Sequence, residues 1–161
     1  MIKKLCVLVL AFLLSSCMQD TKNEGKVGFK ASEISAKNLQ DESVKLRDFD
    51  ESVKVLIFFE NGCAACIKEL PLFDTYLKEH KGQVLALGIN SVDSKEVIKL
   101  IKDKYNIQNI KLLKDDLDIS WQRYKIFALP TTIIIKDNII KERIIGEKPW
   151  SFIESKISSL L

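Results

Sequence analysis

The sequence predicts an α/β domain in which a mixed central sheet is flanked by helices. Three observations carry this. Residues 53–59 and 83–89 are nearly continuous apolar runs, the pattern of strands covered on both faces. A stretch with helical spacing follows each run, and the order strand–helix–strand–helix calls for parallel strands joined by right-handed crossovers. Late in the chain two β-branched segments meet across Asp137-Asn138, which predicts an antiparallel hairpin at a sheet edge.

Taken in order, residues 36–39 and 43–46 flank the turn-like Gln40-Asp41-Glu42 and predict a small hairpin. Residues 53–59 are the first buried strand. Ile67, Leu70, Phe73 and Leu77 recur near the helical period, which predicts a helix over 66–80 with a kink near Pro71. Residues 83–89 are the second buried strand. Val97, Ile98, Ile101 and Tyr105 predict a helix over 94–105, N-capped by Ser94. Residues 110–113 read as a short strand and 117–124 as a short helix. Residues 131–135 and 139–145 form the late hairpin. Pro149, near the first helical position, opens a closing helix over 149–160.

The chemistry concentrates at Cys63-Ala64-Ala65-Cys66, between the first strand and the first helix. Two sulfurs one helical turn apart can close into a disulfide. A helix N-terminus offers free backbone N–H groups and the positive end of the macrodipole, and both favour a thiolate. The thiolate is the species that attacks a disulfide.

Residues 1–16 read as an export signal. Lys3 and Lys4 form a basic n-region, and residues 5–14 form an apolar h-region too short to span a bilayer. Leu14-Ser15-Ser16-Cys17 resembles a bacterial lipobox. That resemblance implies cleavage before Cys17, diacylglycerol on its sulfur and acylation of its new amino group, a firm membrane anchor. Residues 18–30 are polar with two glycines and read as part of a lipidated tether over 17–30; residues 31–161 then form one domain with its own core. On this reading Cys6 leaves with the signal and Cys17 carries lipid, so Cys63 and Cys66 are the thiols of the mature chain. A multiply stapled disulfide scaffold is excluded, and the pair stands in an exported, oxidising setting. Loss of Lys3 and Lys4 takes the formal charge from +3 to +1. The remaining lysines are mixed with acids, a solvated surface that gives no reason to expect nucleic-acid binding.

The segment FFENGCAACIKELP, residues 58–71, resembles the active-site segment of thioredoxin-like proteins. Within that superfamily it is most similar to the membrane-anchored TlpA/ResA type, whose pattern is C-x-x-C-x-x-E-x-P. Leu129-Pro130-Thr131-Thr132 resembles the cis-proline loop, Gly146 resembles the glycine after the last strand, and residues 36–49 resemble the N-terminal hairpin extension of that type. The resemblance spans about residues 30–160 and implies a thioredoxin fold with an N-terminal β-hairpin extension. It implies that Cys63 is the exposed nucleophile and Cys66 the buried resolving thiol. Leu129 and a cis Pro130 would offer backbone groups to an extended substrate. Glu69 would tune the thiols or relay a proton; the alternative for it is a surface acid complementing the helix dipole. The chain departs from thioredoxin at several positions. Ile57 stands where thioredoxin has a buried Asp, and Gly62 where it has Trp. Ala64-Ala65 replaces the dipeptide that helps set the reduction potential.

The function implied is a lipid-anchored thiol–disulfide oxidoreductase on the periplasmic or extracytoplasmic face. It would exchange with protein thiols and disulfides, in the reductive direction, including apocytochrome c cysteines. Its electrons would come from a membrane thiol partner, with no cofactor and no metal. Three rivals share the fold or the motif. A zinc site needs four ligands, more than the pair and His80 provide; a copper-delivery site of the Sco type, which the motif also resembles, uses a wider Cys spacing and a His near the third strand, and His80 reads instead as a partner of the helix C-terminus. A thiol peroxidase needs an arginine beside its cysteine, and Arg47, Arg123 and Arg143 are all remote in sequence. A non-catalytic peptide- or metal-binding lipoprotein would survive loss of Cys63. Trp121 and Trp150 would serve such a groove, although core packing is the commoner fate of Trp.

Overall fold

The computed structural model describes residues 23–161; the expected signal segment, Cys6 and the expected lipidation site Cys17 lie outside the described residues. The elements are β1 (Ala36–Lys37), β2 (Ser43–Val44), β3 (Val53–Phe58), α1 (Ala64–Glu79), β4 (Val84–Asn90) and α2 (Lys95–Lys104). They continue with β5 (Lys111–Asp115), α3 (Ile119–Arg123), β6 (Thr131–Lys136), β7 (Ile139–Ile145) and α4 (Trp150–Ser158). The strands form one sheet in the order β2-β1-β5-β4-β3-β6-β7. β4 is parallel to both β3 and β5, whereas β6 and β7 are antiparallel to their neighbours, as the helical crossovers and the Asp137-Asn138 turn demand. This is the thioredoxin-like topology, with the β1–β2 hairpin added beyond β5.

The unbroken apolar run of β3 has a direct cause. Val53, Val55, Ile57 and Phe59 face one core with Leu70, Phe73, Ile98 and Ile153; Leu56 and Phe58 face the other with Leu87, Tyr124 and Ile133. A strand buried on both faces has no polar side to present. Gly88 on β4 leaves room on the first of these faces for its cross-strand neighbour Leu112 and for Phe59. A Cβ there would lie 2.6 Å from Leu112 Cδ2.

α1 begins at Ala64, two residues earlier than expected, with Cys63 as its N-cap, and it runs through Pro71 to Glu79. Pro71 has no N–H to give the Ile67 carbonyl, and Thr75 Oγ1 donates instead to the Pro71 carbonyl at 2.9 Å. Ser94 caps α2, accepting from Val97 N–H at 3.4 Å. Pro149 occupies the N-cap of α4, just ahead of the first helical position. Trp150 packs edge-on against Phe73, and Trp121 edge-on against Phe58.

Residues 25–30, ahead of the expected domain start, lie against the fold. Gly28 N–H donates to the Ile140 carbonyl at 2.8 Å, Ile140 N–H donates to the Phe29 carbonyl at 2.9 Å, and Lys30 bridges Ile139. The edge strand β7 has unpaired backbone groups, and this segment takes them up. Gly25, at φ +72°, is buried so closely that a Cβ would sit 2.9 Å from the Tyr124 carbonyl oxygen.

Candidate active site

Parallel β3 and β4 end side by side, and the loops that follow them are stapled together. Phe59 N–H donates to the Ile89 carbonyl at 3.2 Å. After β4, the Asn90 side-chain carbonyl accepts from Val92 and Asp93 N–H groups, an Asx turn that aims Asp93 back at the β3 loop. Asp93 Oδ2 accepts from Asn61 N–H at 2.7 Å and from Asn90 Nδ2 at 2.8 Å. Cys63 N–H donates to the Glu60 carbonyl at 3.2 Å, which closes the turn and delivers Cys63 to the start of α1.

Cys63 and Cys66 are joined, with S–S 2.06 Å and Cα–Cα 5.2 Å. Cys63 Sγ accepts from Cys66 N–H at 3.2 Å, so the capping acceptor of α1 is itself the sulfur. The first turn of α1 carries no acid, leaving its dipole free to favour a thiolate at Cys63. Access is one-sided. Cys63 is partly exposed and Cys66 is fully buried, so a substrate sulfur can reach only the former.

The antiparallel β3–β6 register sets Phe58 beside Thr131, which brings the preceding Leu129–Pro130 bond to the same end of the sheet. That bond is cis, and Pro130 is buried with its carbonyl accepting from Gly146 N–H at 2.8 Å. Leu129 and Cys63 pack on the same core cluster. Among the described residues nothing bonds to the backbone N–H or carbonyl of Leu129.

Glu69 lies one turn beyond Cys66 on the same helical face and is only 5% exposed. Neither carboxyl oxygen has a hydrogen-bond partner. Burial pushes its pKa up to about 7 and the Glu147 charge adds to the rise; the nearby Lys148 backbone N–H favours the ionised form without completing a bond. A lone carboxyl in this setting can hold a proton and release it near neutrality. The surface-acid alternative for Glu69 does not describe this burial. Ile57, in the position of thioredoxin's acid, is fully buried beside Gly88 and Thr132.

His80 caps α1, its ring Nδ1 2.9 Å from the Tyr76 carbonyl and its face stacked on Tyr76. Among the described residues no three His, Cys, Asp or Glu side chains are grouped to hold a metal ion. No helix among them is long and apolar enough to cross a membrane. Each arginine is engaged elsewhere: Arg47 faces Glu33, Arg123 donates to the Glu33 carbonyl, and Arg143 donates to three carbonyls. The residues that sequence reasoning missed are Asn90 and Asp93, signalled by the N-x-x-D run directly after a buried strand, and the Glu147–Lys148 pair facing Glu69.

A thioredoxin-like fold with a disulfide half open to solvent at a helix N-terminus defines a protein of the thiol–disulfide oxidoreductase class. The chain belongs to the AhpC/TSA family, whose sequence pattern matches residues 27–143. It is 25% identical over 114 residues to the thiol-disulfide oxidoreductase ResA of Halalkalibacterium halodurans, covering 70% of this chain and 64% of that one, under two thirds of the relative's length. A peroxiredoxin-like protein from Aquifex aeolicus superposes with TM-score 0.72 at 20% identity, over 86% of this chain and 89% of that one. The pneumococcal exposed lipoprotein thioredoxin from Streptococcus pneumoniae superposes with TM-score 0.69 at 18% identity, over 80% of this chain and 100% of that one. At these identities the two structures share the fold.

Proposed function

We propose that this chain is a lipid-anchored, extracytoplasmic oxidoreductase that reduces disulfides in polypeptides. The observation that carries the reading is the asymmetry of the pair, one sulfur reachable and one buried behind it. In the reduced protein, the Cys63 thiolate attacks one sulfur of a substrate disulfide. The substrate S–S bond breaks, its other sulfur leaves as a thiolate that takes a proton from water, and a mixed disulfide joins Cys63 to the substrate. Cys66 then gives its proton to the Glu69 carboxylate and attacks Cys63 Sγ. The second substrate sulfur leaves and is protonated, and Cys63–Cys66 is formed. The substrate gains two electrons and this chain loses two, which a dithiol donor at the membrane must restore.

The cis Leu129–Pro130 turn forms the rail along which an extended substrate lies, the free backbone N–H and carbonyl of Leu129 aligning it to Cys63. The lipobox resemblance at Cys17 supports the anchor and the location outside the cytoplasm. The narrower assignment to haem-binding cysteine pairs of apocytochrome c rests on likeness to the TlpA/ResA type. A peroxidase reading has no arginine to support it at the site.

Replacing Cys66 with Ser tests the reading, since the mixed disulfide then has no resolving thiol. The variant is expected to retain substrate polypeptides on Cys63, released by dithiothreitol. Recovery of cytochrome precursors supports the narrower assignment, and recovery of other exported proteins supports general reduction. No trapped polypeptide contradicts the proposal. Mass measurement of the native N-terminus tests Cys17 separately.

A further inference from the structure

The link from α3 to the cis-proline turn contains an anomaly. Tyr124 is fully buried and Pro130 is buried, yet Phe127 between them is 77% exposed, more than any other aromatic residue among those described. The backbone on both sides of it is fixed. Arg143 on β7 donates from Nη1 to the Tyr124 carbonyl at 2.7 Å and from Nη2 to the Lys125 carbonyl at 2.8 Å. Ile126 N–H donates to the Trp121 carbonyl at 3.0 Å, and Thr131 Oγ1 donates to the Ala128 carbonyl at 2.7 Å. The Arg143 guanidinium also lies 5.9 Å from the centre of the Phe127 ring, within cation–π range. A ring held in water by this much surrounding structure is displayed.

Its surroundings continue the active-site end of the sheet. A cleft of about 460 Å³ lined by Val92, Trp121, Lys125 and Ile126 adjoins the same link. Val92 is 64% exposed and precedes Asp93, the residue that staples the Cys63 loop. The link ahead of the cis-proline turn and the loop after β4 thus share one cleft, in which Val92, Trp121 and Ile126 present apolar side chains among Ser91, Asp118 and Gln122.

We propose that Phe127 is a specificity-determining residue: it receives an apolar or aromatic side chain flanking the cysteine of an extended polypeptide substrate, with Arg143 as the residue that positions it. The occupant follows from continuity with the cis-proline rail, because a chain crossing Leu129 carries its next side chains over this surface. The inference rests on the polypeptide reading above. Arg143 suits the positioning role because its planar fork holds two successive carbonyls from two separate nitrogens in fixed geometry, where lysine offers a single flexible nitrogen.

The test uses the full-length reduced protein and three substrates. Two are peptides with the same internal disulfide, one with Leu and one with Ser beside the cysteine; the third is oxidised glutathione. The wild type is expected to prefer the Leu peptide. Phe127→Ala should raise KM for the Leu peptide about tenfold with kcat retained, erase the preference, and leave the glutathione rate unchanged. Phe127→Leu should keep most of the preference, and Arg143→Lys should raise KM for the Leu peptide without altering the glutathione rate. The inference is overturned if Phe127→Ala leaves the peptide preference intact, or slows peptide and glutathione alike. If the wild type turns over glutathione but neither peptide, the polypeptide reading fails and takes this inference with it. Phe127 is a surface side chain, so its variants keep the test valid even if Arg143→Lys proves unstable.

Discussion

Five residues apart on one helix, two buried acids are treated in opposite ways. Asp74 Oδ1 accepts from the backbone N–H groups of Gln108, Asn109 and Ile110 at 2.9, 2.6 and 3.0 Å, and Oδ2 accepts from Asn109 Nδ2 at 2.9 Å. Glu69, as deeply buried, accepts from nothing. The Asp74 carboxyl, wrapped in donors, joins α1 to the loop before β5. A carboxyl without donors favours its neutral form and is left to exchange its proton. The contrast separates a hydrogen-bonded acid from an unpartnered one on a single helix, and the unpartnered one is the acid beside the cysteines, to which the proposed mechanism gives the proton transfer.

Breaking the architectural partner should have the largest effect. Asp74→Ala strips the acceptor from three backbone N–H groups, one of them buried at Ile110, and should cost about 3 kcal/mol of stability in urea unfolding. Glu69→Gln sharpens the contrast through pH. The folded chain holds the Glu69 proton up to about pH 7, while the unfolded chain releases it near the ordinary 4.5. The folded state therefore binds more protons between those values, and stability falls as pH rises through that window. Glu69→Gln should abolish that fall, which is on the order of 2–3 kcal/mol, and leave the slope below about pH 4 unchanged. Melts at closely spaced pH values read the slope, which is independent of the amide's own burial cost. The same variant should slow resolution of the mixed disulfide. Glu147→Gln is the smallest change: losing that neighbouring charge should move the Glu69 midpoint down without abolishing it, as read by carboxyl NMR titration.

The parts of the molecule written in local pattern were legible in the sequence. The two-sided burial of β3 and β4 shows as apolar runs, the late hairpin as β-branched segments around Asp137-Asn138, and the redox pair as spacing. Pro130 was legible through its place before Thr131-Thr132. What stayed hidden depends on contacts made across the fold. Asp74 caps groups some 35 residues away, and Asp115 caps α3 by accepting from Ser120 and Trp121 N–H groups in place of a conventional N-cap. Arg143 reaches Gly25 and Tyr124 from another strand. A single side chain bonding a distant backbone leaves no period or motif to read. The pairing of residues 25–30 with β7 was hidden for a related reason: their polar composition says tether, and only the open edge beside them makes them part of the fold.

The proposed chemistry depends most on the two sulfurs being unequal. Brief alkylation of the reduced protein with limiting iodoacetamide, followed by peptide mass mapping, measures this directly. Cys63 should carry nearly all the label while Cys66 stays protected until the chain is unfolded. Equal labelling of the two, or faster labelling of Cys66, would contradict the account.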